Sequence, residues 1–245
     1  IRVLDPACGS GNFLTESYLS LRKLENRVIE DLQGDQMGFG LDGDAEPIEV
    51  SINQFYGIEI NDFAVSVAKT ALWIAEEQMM EATQEILLQE FDFLPLKSNS
   101  NIREGNALRM DWNEVLSAER CSYIIGNPPF IGASMCAASQ KQEIVDLFGK
   151  IKLSNSLDYV SGWYYKAAEM MLANPAIKAA FVSTNSIMQG EQVYPIWNTL
   201  HSRFGIHIDF AWRTFVWNSE TAGKAHVHCV IVGFSIGSGE GLIFG

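Results

Sequence analysis

A short turn, Asn127-Pro128-Pro129-Phe130, combines hydrogen-bond acceptors with an aromatic ring directly after an apolar run. The two prolines lock the backbone and remove two N–H donors, so the turn presents the Asn127 side-chain oxygen and the Pro128 carbonyl as acceptors. These groups suit a planar ring that bears an exocyclic NH₂ group. The amine would donate to both oxygens while the ring stacks on Phe130. The residue types therefore predict chemistry on an aromatic amine.

A second segment, residues 5–13, reads DPACGSGNF and lies between a predicted strand and a predicted helix. Gly9 and Gly11 let the backbone approach a ligand closely, and the helix N-terminus offers free N–H groups to an anion. The dinucleotide pattern G-x-G-x-x-G is incomplete, because Leu14 stands at the third glycine position. Asp5 at the strand end suits a ligand ammonium group. A ligand with both carboxylate and ammonium fits this turn, as in the methionine end of S-adenosylmethionine.

Two further polar residues follow the next strands. Glu59 ends the second predicted strand, where doubly wound folds bind a ribose through its two hydroxyls. Asn106 follows the third strand, and its amide offers a donor and an acceptor to a purine edge. Since carboxyl ends of parallel strands meet at one sheet edge, both residues are expected in the same crevice as the glycine turn and Asn127.

Strand-like and helix-like runs alternate along the chain, which predicts an α/β fold with a doubly wound, mostly parallel sheet and a C-terminal antiparallel hairpin. Weak periodicity over residues 131–156 predicts a mobile segment, with Glu143 and Asp146 on a solvated face. Loops are predicted over residues 34–50 and 91–99. The predicted strands cover residues 1–5, 54–60, 101–104, 123–126, 177–184, 206–215 and 225–235, and the predicted helices cover residues 12–33, 61 onward, 157–172 and 194–204.

Composition limits the classes of protein. The chain has 245 residues and a net charge of −13, and it holds no apolar run long enough to span a membrane. Residues 1–96 carry 5 basic and 18 acidic side chains, so the acidity belongs to the first part. Taken alone, this charge argues against phosphate binding. Four separated cysteines without a C-x-x-C pair predict reduced thiols in a cytoplasm and no metal site.

The motifs together resemble a known family. Residues 5–13, 57–60 and 127–130 are similar to motifs I, II and IV of amino-group-directed DNA methyltransferases, and their order resembles the gamma class of N6-adenine methyltransferases. Later segments, at residues 157–171, 180–192, 210–215 and 226–231, are similar to motifs V to VIII in the methyltransferase region of single-chain type II restriction–modification enzymes. The family more often carries Asp where this chain has Asn106.

The resemblance implies a Rossmann-like catalytic domain over residues 1–245 that moves a methyl group from S-adenosylmethionine to the adenine N6 of double-stranded DNA. A flipped adenine would stack on Phe130 and on a second aromatic residue, Phe215, with Asn127 and Pro128 accepting its amine hydrogens. The resemblance implies no metal and no cysteine nucleophile, with Cys8 as a packing residue. The implied cofactor contacts are Asp5, Pro6, Ala7, Gly9, Gly11, Phe13, Glu59, Ile60, Asn106, Ala107 and Asn127.

The resemblance also implies a preceding motif X helix and a following target-recognition domain, so the chain is expected to be a fragment that contacts DNA mainly through that absent domain. The oligomeric state is left open. Two alternatives stay open as well. One is an RNA or protein glutamine methyltransferase, since those enzymes also use an Asn-Pro-Pro-aromatic turn. The other is a catalytically silent cofactor-binding module of a restriction complex.

Overall fold

A computed structural model describes residues 1–35, 48–87, 101–149, 151, 156–217, 227–237 and 241–245. The predicted loop over residues 91–99 lies outside the described residues, as do most of the predicted loop over residues 34–50 and the first two residues of the predicted strand over residues 225–235. None of the helices in the described ranges is both long and apolar enough to cross a membrane.

The centre of the fold is a mixed sheet in which eight described strands have the order β3-β2-β1-β4-β5-β7-β6-β8. The first five strands in this order run parallel to one another. Strand β7 runs antiparallel to both β5 and β6, and β8 is parallel to β6. The strands are β1 (Val3–Asp5), β2 (Phe55–Glu59), β3 (Ile102–Glu104), β4 (Tyr123–Gly126), β5 (Lys178–Thr184), β6 (Ile206–Trp217), β7 (Val227–Ile236) and β8 (Leu242–Phe244).

The strand order reverses at β1, which has β2 on one side and β4 on the other. In open α/β sheets, ligands bind at such a switch point, beyond the carboxyl ends of the strands. The registers Asp5↔Gly57 and Gly126↔Phe181 place the ends of β1, β2, β4 and β5 at one edge. The fold therefore brings the glycine turn and the Asn127 turn to the same place.

Five helices in the described ranges flank the sheet, and buried apolar residues form two clusters. One cluster joins α1 and α2 to β1 and β2 through residues such as Leu14, Tyr18 and Leu72. The larger cluster packs α3, α4 and α5 with β4 to β7 and with other residues of β1 and β2, and Tyr164 and Phe181 lie within it. The helices are α1 (Asn12–Asp35), α2 (Asp62–Leu87), α3 (Ala138–Phe148), α4 (Ser161–Ala173) and α5 (Val193–Phe204).

The predicted fold class is confirmed: a mostly parallel α/β sheet carries an antiparallel pair, β6 and β7, near its C-terminal end. The α2 start is also as predicted, since Asn61 Oδ1 accepts the Ala64 N–H at 3.0 Å. The predicted mobile segment over residues 131–156 is wrong in its middle, where α3 forms. The solvated face is wrong for Glu143, which is 7% exposed, because tertiary packing buries it.

Candidate active site

The glycine turn after β1 is held against β2 by its backbone. Cys8 donates its N–H to the Ile58 carbonyl at 3.1 Å, and Gly9 donates its N–H to Glu59 Oε2 at 2.9 Å. Gly9 and Gly11 have φ values of +53° and +88°, which disfavour residues with a side chain. A Cβ on Gly11 would also lie 2.9 Å from Ala68 Cβ, so this glycine lets α2 pack closely against the turn.

The Glu59 carboxylate spans the end of β2. One oxygen accepts the Gly9 N–H, and the other accepts the Asn61 N–H at 3.0 Å. An ionised carboxylate has about four acceptor positions, so two backbone bonds leave capacity for ligand hydroxyls. Glu59 lines a cavity at the sheet edge, which is where the sequence predicted a ribose contact.

Asp5 lies beneath this turn and is 1% exposed. Its Oδ1 accepts the Ala7 N–H at 3.0 Å, but its buried Oδ2 has no partner among the described residues. Burial raises the pKa of Asp5 to about 7, and the negative charge of Glu59 adds to this rise, while the Ala7 bond opposes it. A cationic ligand group beside Asp5 would offset the cost of the buried charge.

The Asn127 turn leaves β4 beside Asp5. Asn127 Oδ1 is a buried acceptor without a hydrogen-bond partner in the described part of the chain. The backbone beyond it is fixed, because Ile131 donates its N–H to the Pro129 carbonyl at 3.1 Å and Tyr159 donates its N–H to the Ile131 carbonyl at 2.9 Å. Buried polar groups are rarely left unsatisfied, so the free Asn127 oxygen indicates a ligand position.

A cavity of about 390 Å³ joins these elements. Its size lies within the range of small-molecule sites. It brings together the predicted residues Pro6, Ala7, Gly9, Glu59, Ile60, Asn106, Ala107 and Asn127. The remaining lining residues are Ile58, Gly105, Pro129, Ile131, Gln140, Tyr159 and Trp163.

Other predicted residues lie outside this lining. Asp5 and Gly11 support the turn from behind, and Pro128 is buried next to Asn127. Phe13 lines a separate apolar groove of about 600 Å³ with Ile1 and Tyr123, so its cofactor contact stays a prediction.

The two aromatic residues predicted to hold a base are separate from the cavity lining. Phe130 is half-buried in the segment that follows Asn127 and Pro129. Phe215 is half-buried on β6, where it pairs with Cys229, and Cys229 pairs with Thr184 at the end of β5. This register puts Phe215 at the sheet edge that carries Asn127. The base contacts of both rings stay predictions.

Asp158 anchors the chain that follows Phe130. Its Oδ1 accepts the Ala133 N–H at 2.8 Å, and its Oδ2 accepts the Ser186 hydroxyl. Its own backbone N–H donates to Gln192 Oε1 at 2.7 Å. Asp158 is 8% exposed, so these bonds form away from bulk water. They tie the segment beyond the Asn127 turn to the segment after β5.

Sequence reasoning missed two aromatic residues of the cavity. Tyr159 and Trp163 pack edge to face with 5.2 Å between ring centroids, and Trp163 donates its indole N–H to the Pro6 carbonyl at 2.9 Å. Their spacing of four residues indicated only a buried helix face. The helix begins later than predicted, at Ser161, which leaves Tyr159 in the preceding turn.

Metal and thiol chemistry have little support. The described residues hold no group of three or more His, Cys, Asp or Glu side chains arranged for a metal ion. All four cysteines are buried and free. Burial raises the pKa of Cys8, with the Asp5 and Glu59 charges adding to the effect. Cys8 therefore stays a neutral thiol at physiological pH, in agreement with its predicted packing role.

The strand order and the site at its switch point define a Rossmann-like methyltransferase domain. The family model described as "MmeI, DNA-methyltransferase domain" matches residues 1–245. The chain belongs to this family of DNA-methyltransferase domains, as the sequence resemblance implied.

Similar proteins agree with this assignment. DNA methyltransferase A of Bacillus subtilis (strain 168) is 44% identical over 237 residues, which cover 96% of this chain and 26% of that protein. The solved structure of the Type IIL restriction-modification enzyme MmeI in complex with DNA has a TM-score of 0.89 at 44% identity, and the match covers 98% of this chain and 32% of that chain.

A more distant structure, the cryo-EM structure of the DrdV–DNA complex, has a TM-score of 0.58 at 15% identity. This match covers 99% of this chain and 24% of that chain, and it bears on the fold alone. The chain thus spans 24% to 32% of the length of these similar proteins.

Proposed function

We propose that this domain transfers a methyl group from S-adenosylmethionine to the N6 amino group of adenine in DNA, as part of a restriction–modification enzyme. The observation that carries the proposal is the buried Asn127 oxygen, which lines the cavity and has no hydrogen-bond partner among the described residues. A buried acceptor in this position needs a hydrogen-bond donor from the substrate, which an amino group supplies and an apolar group cannot.

The cavity and the carboxylate beneath it fit S-adenosylmethionine. The unpaired oxygen of Asp5, below the glycine turn and outside the cavity lining, suits the ammonium group, and Glu59 retains acceptor positions for the ribose hydroxyls. Ile60, Asn106 and Ala107 line the part of the cavity suited to the adenine. The cofactor, when bound, supplies an electrophilic methyl group on a sulfonium.

The protein's own residues act by binding and orienting the adenine amine. Asn127 Oδ1 and the Pro128 carbonyl accept its two hydrogens, which turns the nitrogen lone pair out of the ring plane. Phe130 stacks on the base, and Phe215 packs on its other face. Because the prolines fix both acceptors before the substrate arrives, little reorganisation is needed as positive charge develops on the nitrogen. No thiolate or metal takes part.

Membership of a DNA-methyltransferase domain family favours DNA over RNA or glutamine as the acceptor. Two of the similar solved structures are complexes with DNA, the MmeI and DrdV structures. A base inside a duplex cannot reach this cavity, so the adenine is rotated out of the helix before transfer. With 12 acidic and 12 basic side chains in residues 97–245, this domain contributes modest phosphate attraction, and a recognition domain provides most DNA binding.

The test uses the full-length protein that contains this domain. Expression in a methylation-deficient host, followed by mapping of modified bases, should show N6-methyladenine at one recurring DNA sequence. Asn127→Ala should abolish this modification while S-adenosylmethionine binding changes less than about threefold. Asn198→Ala, at an exposed position on α5, is the matched control and should methylate as the unchanged protein does.

Two outcomes would contradict the proposal. If Asn127→Ala methylates at the rate of the unchanged protein, Asn127 does not bind the substrate amine. Tight binding of S-adenosylmethionine by the unchanged protein without methylation of DNA, RNA or protein would support the alternative of a catalytically silent module.

A further inference from the structure

The Glu143 carboxylate lies behind the cavity wall and accepts hydrogen bonds from three side chains. Its Oε1 accepts from Asn106 Nδ2 at 3.0 Å and from Arg109 Nε at 2.6 Å, and its Oε2 accepts from the Tyr159 hydroxyl at 2.5 Å. Glu143 is 7% exposed, whereas the Arg109 side chain is 62% exposed. Asn106 and Tyr159 line the cavity whereas Arg109 does not, so the bonds to Asn106 and Tyr159 are the ones that can act on a ligand.

Glu143 fixes the orientation of the Asn106 amide. Asn106 Oδ1 accepts the Leu108 N–H at 2.9 Å, while Nδ2 donates to Glu143. A backbone N–H can only donate and an ionised carboxylate can only accept, so the two ends of the amide cannot exchange places. The Asn106 side chain also hydrogen-bonds the Tyr159 hydroxyl, and one lone pair of Asn106 Oδ1 remains available for a ligand in the cavity.

Tyr159 extends this arrangement to the glycine turn. Burial raises the pKa of Tyr159, and the bond with Glu143 raises it further, so the phenol stays protonated and donates. Its ring packs against Trp163, and Trp163 donates to the Pro6 carbonyl. A continuous set of contacts therefore runs from Asn106 through Glu143, Tyr159 and Trp163 to Pro6.

The helix α3 connects this wall to the catalytic turn. Gln140 lines the cavity one helical turn before Glu143, and α3 begins eight residues after Phe130. Gln140 Oε1 accepts the Ala137 N–H at 2.9 Å, which fixes the start of the helix. Glu143 is thus the residue through which α3 contacts both Asn106 and Tyr159.

We propose that Glu143 is a positioning residue for the adenosine end of the cofactor site, which it organises by holding Asn106 and Tyr159 in one wall. The inference rests on the proposed function, because it requires that the cavity bind S-adenosylmethionine. At the carboxyl end of β3, residue 106 is an uncharged asparagine, and the carboxylate beside it is supplied by Glu143 of α3.

The first experiment measures S-adenosylmethionine affinity and the turnover rate of the full-length protein. Glu143→Gln should weaken affinity about tenfold and leave kcat at saturating cofactor within about twofold, because the reacting groups at Asn127 are unchanged. Asp146→Asn is the matched control, since it also converts a carboxylate to an amide on α3 but at an exposed position. It should bind and turn over normally.

The second experiment exchanges the charge between the two positions. Asn106→Asp alone places a carboxylate against Glu143, at a site where the present N···O distance is 3.0 Å, and should weaken affinity more than tenfold. The double variant Asn106→Asp with Glu143→Gln restores one donor and one carboxylate. It should bind the cofactor at least fivefold more tightly than Asn106→Asp alone. Thermal melting of each variant without cofactor separates this rescue of binding from recovery of the fold.

Tyr159→Phe provides a milder variant if Glu143→Gln fails to fold, because it removes only the hydroxyl. It should weaken cofactor affinity about threefold with kcat unchanged. Normal affinity in folded Glu143→Gln or Tyr159→Phe, or no rescue by the double variant, would overturn the inference while leaving the proposed function intact. Failure of the unchanged protein to bind S-adenosylmethionine would overturn both.

Discussion

Gly126 at the end of β4 lies directly against the Asp5 carboxylate at the end of β1. A Cβ built on Gly126 would stand 2.5 Å from Asp5 Oδ1, a distance that real Cβ atoms do not adopt. The residue before Asn127 therefore has to be small so that the Asp5 carboxylate can occupy this space. The two functional turns are coupled by this contact.

Gly126→Ala should displace Asp5 and weaken S-adenosylmethionine binding at least tenfold. The overpacked site should also lower the free energy of unfolding by about 1–3 kcal/mol. Isothermal titration calorimetry and thermal melting measure the two effects. Gly132→Ala is the control, because a Cβ there would lie 3.7 Å from Asp158 Oδ1, an ordinary contact. Equal cofactor affinity in both variants would contradict the coupling.

Cofactor affinity should depend on pH through Asp5, whose pKa is raised to about 7 by burial and by the nearby Glu59 charge. The ligand ammonium favours the ionised carboxylate. Affinity should therefore rise from pH 5.5 to pH 7.5, and binding near pH 6.5 should release a proton. Calorimetry in buffers of different ionisation enthalpy counts this proton. Asp5→Asn should bind more weakly and lose the slope, so a slope retained in Asp5→Asn would assign the titration to another group.

The same carboxyl should lower the stability of the ligand-free protein at neutral pH. A folded-state pKa of about 7, against the ordinary aspartate value of 3.8, means that the stabilising contribution of protonated Asp5 is complete below pH 3.8 and is lost as pH rises through 7. Ligand-free Asp5→Asn should consequently melt higher than the unchanged protein at pH 8, and the difference should shrink toward pH 5. If Asp5→Asn and the unchanged protein melt identically at both pH values, ionisation of buried Asp5 does not destabilise the folded protein.

Phe130→Ala should reduce capture of the flipped base, since stacking on an aromatic ring contributes about 1–3 kcal/mol per base. The fluorescence of 2-aminopurine at the target position reports base flipping by the full-length protein. Its rise on binding should be much smaller with Phe130→Ala and nearly normal with Phe130→Tyr, which keeps the ring. An unchanged rise with Phe130→Ala would exclude the stacking role.

Asp158→Asn should reduce turnover more than cofactor affinity, because it removes the charged acceptor that holds the Ala133 N–H beyond Phe130. Hydrogen bonds to charged groups contribute about 1.5–3 kcal/mol, so kcat should fall about tenfold. Single-turnover methylation separates this step from cofactor binding. Asp31→Asn, at an exposed position on α1, serves as the control and should be unaffected. A loss confined to cofactor affinity would contradict an anchoring role.

Much of the sheet could be predicted because its strands are short, apolar and followed by turn residues. The parts of the site that follow from this pattern are the polar residues at strand ends, such as Glu59, Asn106 and Asn127, which the structure places around one cavity. Their position depends only on parallel strands sharing an edge. That rule applies without knowledge of side-chain packing.

The missed parts depend on contacts between residues far apart in the chain. The α3 segment has weak periodicity, and Glu143 is charged, so only its bonds to Asn106 and Tyr159 explain its burial. The strand β8 has three residues and forms only by pairing with β6. Phe13 was placed at the cofactor by motif position alone; it lines another groove, and its cofactor contact stays a prediction.

The burial of every cysteine has a practical consequence for spectroscopy of the domain. Burial raises the pKa of Cys121 to about 12 and also raises the pKa values of Cys8, Cys136 and Cys229, so almost no thiolate is present at neutral pH. Since the thiolate is the form that attacks maleimide and disulfide reagents, the native thiols react slowly. A single cysteine introduced on the exposed surface would therefore take a fluorophore or spin label selectively, without prior removal of the four natural ones.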